Sequence, residues 1–352
     1  MRRSESKIAR ISRPVLVTVA VICGCVLSRA FEPPPATPLT ISKEIALPSM
    51  KDGDFDHFAV DLTGNRLFLA AEANGVVEVF DSQRNKILAV IHGFKEPHAI
   101  LFREDLRRLY VVDGGESAVK VFDADTYKPM GQVPLSIDAD SMVYDPDNRY
   151  MYVVNGGREA KTPYSLISVI DTSAARKLSD IRVDDTNWLE GLAVEESGPR
   201  LFVSMTGISA IGIIDRQKKK LVAKWKLPSD VQQNVALKFD PSNHRLFTVT
   251  RKPAAFVVLD SDDGRVIASM PCAPMVDDIA YDSSTRQIYL AGDHSIDVIH
   301  QDDSNHYTHI ASLPGAFRAK TAILIPQWHR YYLAVPRHAN HGAEVRVFEV
   351  AQ

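Results

Sequence analysis

Acidic and imidazole side chains recur at one phase of this 352-residue chain: Asp56, His98, Asp140, Glu190 and Asp277. Val235 and Lys320 occupy the same phase, and His57, Asn234 and Asp278 stand beside it. Carboxylates bind hard cations, and one or two imidazoles shift the preference towards Zn, Mn or Fe. If the fold gathers Asp56, His98, Asp140, Glu190 and Asp277, they describe a divalent-cation site able to polarise a carbonyl and activate water, as in hydrolysis of a lactone or ester. With Arg251 and Lys320 supplying counter-charge, the same residues describe a site for a small polar ligand. Polar loops that merely line a wet channel would carry the same composition, and crowded carboxylates raise one another's pKa unless a cation neutralises them.

Other chemistry is poorly supported. There is no Gly-x-Ser-x-Gly elbow, no phosphate-binding loop and no His-Glu-x-x-His pair. The lack of a Cys-x-x-Cys-His site excludes covalently attached c-type haem. His338 and His341 lack further ligands of fixed geometry and do not by themselves make a metal site. Trp188, Trp225 and Trp328 read as packing residues, with Trp188 close enough in sequence to Glu190 to reach the same site.

The elements that must position these residues are repeats. A basic, apolar, aromatic segment returns as Arg66-Leu67-Phe68, Arg108-Leu109-Tyr110, Tyr150-Met151-Tyr152, Arg200-Leu201-Phe202, Arg245-Leu246-Phe247, Gln287-Ile288-Tyr289 and Arg330-Tyr331-Tyr332. Its centres are 42, 42, 50, 45, 42 and 43 residues apart, the spacing of propeller blades. A second landmark keeps step downstream, from Val79-Phe80-Asp81 through Val347-Phe348-Glu349. Runs of Val, Ile, Leu, Phe and Tyr cut by turn clusters such as Asp61 to Asn65 give strands. The chain is therefore expected to be all-β, a seven-bladed β-propeller. The last unit has only three strands, so an N-terminal strand from Leu39 should complete it and close the ring, removing an exposed sheet edge. Loops entering the inner strands then gather at one mouth of the channel, the default ligand site. The longer loops from Gly156 and Pro336 should lie on that face, where Arg158, Lys161, Lys252 and Arg337 could add a basic rim suited to an anionic or zwitterionic molecule.

The first thirty residues do not belong to this ring. Basic residues Arg2 to Arg13 precede an apolar run from Val15 to Leu27 and then Ser28-Arg29-Ala30, the three regions of a secretory signal peptide. The apolar run is too short to cross a hydrocarbon core that needs roughly 20 residues. Cleavage near Ala30 is expected, with a lipoprotein signal ending at Cys25 as the alternative, and residues 31–38, rich in proline, form a tether. Residues 39–352 form the single propeller domain. Removing residues 1–30 takes away six basic residues and one acidic one, so the net charge falls from −3 to −8. An acidic mature chain disfavours nucleic-acid binding, and Lys218-Lys219-Lys220 reads as a solvated turn. Only Cys272 survives cleavage, so no intramolecular disulfide forms.

Tyr152-Val153-Val154-Asn155 followed by Ser168-Val169-Ile170-Asp171 resembles the repeat of the secreted YVTN-repeat, YncE-like seven-bladed propellers. Single-copy segments extend that resemblance over the mature chain: Phe55-Asp56-His57, Lys95-Glu96-Pro97, Asp138-Ala139-Asp140, Ser197-Gly198-Pro199-Arg200, Arg251-Lys252-Pro253-Ala254 and Ala334-Val335-Pro336. The resemblance implies a seven-bladed fold and a periplasmic or extracellular location, without assigning a catalytic residue. The leading expectation is an exported, monomeric binding module for a small polar molecule or an envelope protein. A hydrolase with a cation at the channel mouth is the alternative.

Overall fold

The computed structural model describes Met1 and residues 37–351; the segment assigned to the export signal, and the tether up to Ala36, lie outside the described residues. Seven sheets of four antiparallel strands make the ring. In blade one the strands are Phe58–Asp61, Arg66–Ala71, Val76–Asp81 and Lys86–Ile91, running outward from the channel. The innermost strands of blades two to seven are Pro97–Arg103, Met142–Asp145, Leu192–Val194, Gln232–Asp240, Ile279–Asp282 and Thr321–Ile325.

Closure is as expected. Strand Leu39–Ala46 pairs antiparallel with Glu344–Val350, from Leu39 opposite Val350 to Ala46 opposite Glu344, and becomes the outermost strand of blade seven. The first and last described strands thus share one sheet, and the edge of Glu344–Val350 is paired.

The repeat landmarks have separate physical jobs. Their aromatic residues, Phe68, Tyr110, Tyr152, Phe202, Phe247, Tyr289 and Tyr332, are all buried and help build the apolar clusters that lie between blades. Burying such a ring contributes about 2–3 kcal/mol. Where the first landmark residue is arginine, in blades one, two, four, five and seven, it clamps its blade to the next. Arg66 donates to the Ala124 carbonyl at 2.6 Å, Arg245 to Ser304 at 2.7 Å and Arg330 to Ser82 at 2.7 Å, the last across the closing seam. Arg108 and Arg200 reach Ser173 and Ser261 in the same way. Blade three carries Tyr150 instead, and there Arg216 of blade four pairs back to Asp145. These clamps lie at the end of the ring opposite the loops that enter the inner strands, so the mouth is left to other residues.

Candidate functional site at the channel mouth

In blades one, three and four the inner strand is entered through a residue held by the hairpin just beyond it. The amides of Asp56, Asp140 and Glu190 donate to the carbonyls of Ala70, Val154 and Ser204 in the second strand of their own blades, at 2.9, 3.1 and 3.1 Å. Backbone pairing therefore fixes these side chains at the channel entrance before any side-chain contact forms.

There the ring encloses a cavity of about 410 Å³, lined by Asp56, His98, Asp140, Glu190, Asp277 and Lys320. His57, Asp278 and Arg251 line it as well. Nine of the ten residues singled out in the sequence thus meet in one place. Asn234 is the exception: it is fully buried, and its side-chain amide donates to the Ala210 carbonyl at 3.0 Å in the neighbouring blade. Asn234 already lies within the long inner strand Gln232–Asp240, paired opposite Thr250, whereas His57 and Asp278 stand just before the strands Phe58–Asp61 and Ile279–Asp282. Asn234 is an inter-blade tie. Val235 contributes to the lining without a charge.

The charged side chains interlock. His57 Nδ1 lies 2.9 Å from Asp278 Oδ1, and its Nε2 lies 3.2 Å from Asp56 Oδ1. The other Asp56 oxygen is 2.6 Å from His98 Nδ1, and Asp140 lies 3.7 Å from that same nitrogen. Across the mouth, Asp277 bridges Arg251 at 2.6 Å and Lys320 at 2.5 Å.

Titration follows from this arrangement. Burial acts to raise Asp56, but His57, the His98 hydrogen bond and Lys320 outweigh it and hold the carboxyl well below its usual range. Burial acts to lower both histidines; the carboxylates around them win, pushing His57 well above its ordinary value and His98 up to about 10. Lys320 is raised against burial by Asp277 and Asp56. Glu190 goes the other way: burial first, then Asp140, push it up to about 8 despite a hydrogen bond from the Trp188 indole. Asp140 is also raised, by burial and by Asp56 and Asp277, although His98 pulls it down.

Two lining residues lack an obvious signal of chemistry in the sequence. Glu72 lines the cavity and is pushed up to about 7 by burial and by Asp56. It lies six residues beyond Arg66, the same phase at which Arg251 follows Arg245, so the repeat could have found it. Lys238 sits inside an inner strand, exposed to the cavity but enclosed by the ring, and that enclosure lowers its pKa.

The loop from Gly156 lies on this face as expected. Gly157 has φ +86°, and a Cβ there would meet the Asn187 carbonyl at 2.4 Å, so the loop rests directly on the approach to blade four. Arg158 stacks over Trp188 at 4.1 Å from the ring centroid, and Trp188 Nε1 donates to Glu190 at 2.5 Å. Trp188 is therefore both packed and part of the site. Trp225 and Trp328 pack against Phe202 and Tyr332. Arg337 is engaged with the Met50 carbonyl at 2.8 Å rather than facing the cavity, and His338 stacks on Phe317 at 4.0 Å.

Chemically, the mouth can hold a cation or a polar molecule. Ligand atoms of Asp56, His98 and Asp140 all lie within 4.8 Å of one another. A metal there would replace the proton of His98, so its uptake would be pH-dependent. Glu190 and Asp277 line the same cavity but are not part of that close group.

No protein-family model matches the chain, and no curated protein does. Among solved structures, a chain of Kuenenia stuttgartiensis hydrazine synthase superposes with a TM-score of 0.71 at 16% identity, covering 84% of this chain and 95% of its own. A chain of the mitotic checkpoint complex superposes with a TM-score of 0.72 at 13% identity, covering 96% of this chain and 100% of its own. At such identities the likeness shows the propeller fold alone.

Proposed function

We propose that this protein is a binding module that takes a small polar ligand at the channel mouth. One observation carries the reading: every one of the seven blades places a charged side chain on the wall of a single cavity of about 410 Å³. That volume lies within the range of small-molecule sites, and Asp56, His57, His98, Arg251, Asp277, Asp278 and Lys320 are held in ion pairs around it. Assembly with a protein partner is also compatible with the fold, since one structural neighbour comes from the mitotic checkpoint complex. The test is thermal stability of the purified protein in a panel of amino acids, polyamines, monosaccharides and nucleotides. At least one class should raise the melting temperature of the wild type and not of Asp56→Asn or His98→Asn. A flat response across the panel would remove the small-ligand reading.

A second reading is favoured by the proximity of Asp56, His98 and Asp140: a cation held there would polarise an ester or lactone carbonyl and activate water. Elemental analysis and hydrolysis of p-nitrophenyl acetate with Mn, Zn, Ca or Mg decide it. Absence of stoichiometric metal together with no metal-dependent turnover would sink it.

The export reading belongs to the same proposal. The basic and apolar segments before Ala30, and the resemblance to secreted YVTN-repeat, YncE-like propellers, support a periplasmic or extracellular protein. Mass analysis of the mature N-terminus distinguishes cleavage near Ala30 from lipidation at Cys25. Both sites precede Leu39 and would spare the closing strand.

A further inference from the structure

The ion pairs of the mouth leave a remainder. Asp56, Asp278 and Asp277 are taken up by His57, His98, Arg251 and Lys320. Asp140 has only the 3.7 Å approach of His98, and Glu190 accepts a single hydrogen bond, from Trp188. Lys238 lines the same cavity and makes neither an ion pair nor a side-chain hydrogen bond among the described residues. Glu72 in blade one also lines the cavity, without an ion pair among the described residues. Three under-compensated acids, two of them on neighbouring blades, therefore share the chamber with one ammonium that no carboxylate pairs directly, Glu196 and Asp278 acting on it only from a distance.

The chamber also has an apolar interior. Two residues further into the inner strands than the charged ring stand Phe58, Ile100, Met142, Leu192, Leu237 and Ile279, all of which line the cavity. At about 3.3 Å per residue they form a second ring some 6–7 Å deeper. A ligand that satisfies the remainder carries a cation for the acids, an anion for the lysine and an apolar spacer against this ring.

We propose, building on the small-ligand reading, that the mouth recognises a zwitterion with a primary ammonium at Asp140 and Glu190, a carboxylate at Lys238, and a short methylene spacer between them. A bare divalent cation would leave Lys238 unpaired in a chamber of shared potential, and a lone anion would face Asp140. An ω-amino acid removes both conflicts.

The experiment is calorimetric titration of the purified protein with 4-aminobutanoate, 5-aminopentanoate and 6-aminohexanoate, each against the matched carboxylate and the matched alkylamine. Tryptophan emission, reporting Trp188 beside Glu190, provides a second readout. At least one ω-amino acid should bind saturably, tenfold or more tightly than either matched control. Glu190→Gln and Lys238→Met should each weaken it at least tenfold, the first abolishing the advantage over the carboxylate and the second the advantage over the amine. The wild-type comparison stands even if a variant fails to fold. Equal affinity for the alkylamine and the ω-amino acid overturns the assignment of Lys238. One-to-one binding of Mn or Zn with no response to any ω-amino acid overturns the zwitterion proposal while keeping the mouth as a site. Silence towards the ω-amino acids, the metals and the wider polar panel would overturn the small-ligand reading as well.

Discussion

The guanidinium of Arg66 in blade one donates to the carbonyl of Ala124 in blade two at 2.6 Å, while holding the buried carboxylate of Asp61 at 2.7 Å in its own blade. One side chain therefore satisfies the turn at the end of an inner strand and fastens it to the neighbouring blade. Arg245 and Arg330 make the corresponding crossings to Ser304 and Ser82.

Replacing Arg66 by Leu takes the close partner from Asp61, which has no exposure to solvent and keeps, among the described residues, only the Gly64 amide at 2.8 Å and Arg107 at 3.7 Å. Removing one partner of a buried pair costs about 3–5 kcal/mol, and urea unfolding should show a loss of that order. The double variant Arg66→Leu with Asp61→Asn should be more stable than Arg66→Leu alone, because the buried charge left with only the distant Arg107 is gone. If the double variant is the less stable of the two, the cost lies in the lost crossing to Ala124 rather than in the buried carboxylate.

Gly114 supports His98 from below. A Cβ at position 114 would lie 2.8 Å from His98 Nε2 and the same distance from the Ala139 carbonyl, so Gly114→Ala must displace the imidazole from Asp56 or shift the backbone. Overpacking of this kind costs about 1–3 kcal/mol, which a ring of this size should tolerate. The expected signature is in titration: the His98 midpoint, near 10 while it pairs with Asp56, should fall by a unit or more in the variant when followed by imidazole nitrogen NMR. An unchanged midpoint would mean that the pair adjusts as a unit and that residue 114 does not position it.

The repeat was readable because its two landmarks carry different burdens that both constrain residue type. The aromatic of each unit is sealed between blades, and most of the arginines cross a seam, so neither drifts freely in sequence. The phase of Asp56, His98, Asp140, Glu190 and Asp277 was readable for the same reason, since it is fixed by counting from the end of each inner strand. Lys238 was not, because a lysine within Val235-Ala236-Leu237-Lys238-Phe239 looks like an outward-facing residue until the ring closes and turns that direction into a channel. Asn234 was misplaced because the inner strand of its blade starts early, at Gln232, so the sheet already holds it where His57 and Asp278 still precede theirs. Which of the acids would remain under-compensated also lay beyond the sequence, since Asp277 and Asp140 differ only in what the neighbouring blades bring to them.

Glu78 gives the sharpest pH test, away from the mouth. It is wholly buried in the third strand of blade one, and neither carboxyl oxygen has a hydrogen-bond partner. In blades two and seven the same position holds Lys120 and Arg346, which donate to the carbonyls of Gly93 and Gly315 behind the preceding blade. An ionised carboxylate cannot make such a contact, whereas a protonated one can donate. Burial alone pushes Glu78 from 4.5 up to about 7. Between those values the folded protein keeps a proton that the unfolded chain has released, so stability falls as pH rises from about 4.5 to 7 and then levels off. A shift of that size corresponds to about 3 kcal/mol. Glu78→Gln keeps the shape and cannot ionise, so it should lose this component of the pH dependence and be more stable than the wild type at pH 8 by about 1–3 kcal/mol, with little difference at pH 5. Urea unfolding of both proteins at the two pH values isolates Glu78 from Glu72 and Glu190, which titrate equally in each; parallel profiles would show that Glu78 is not held neutral in the fold.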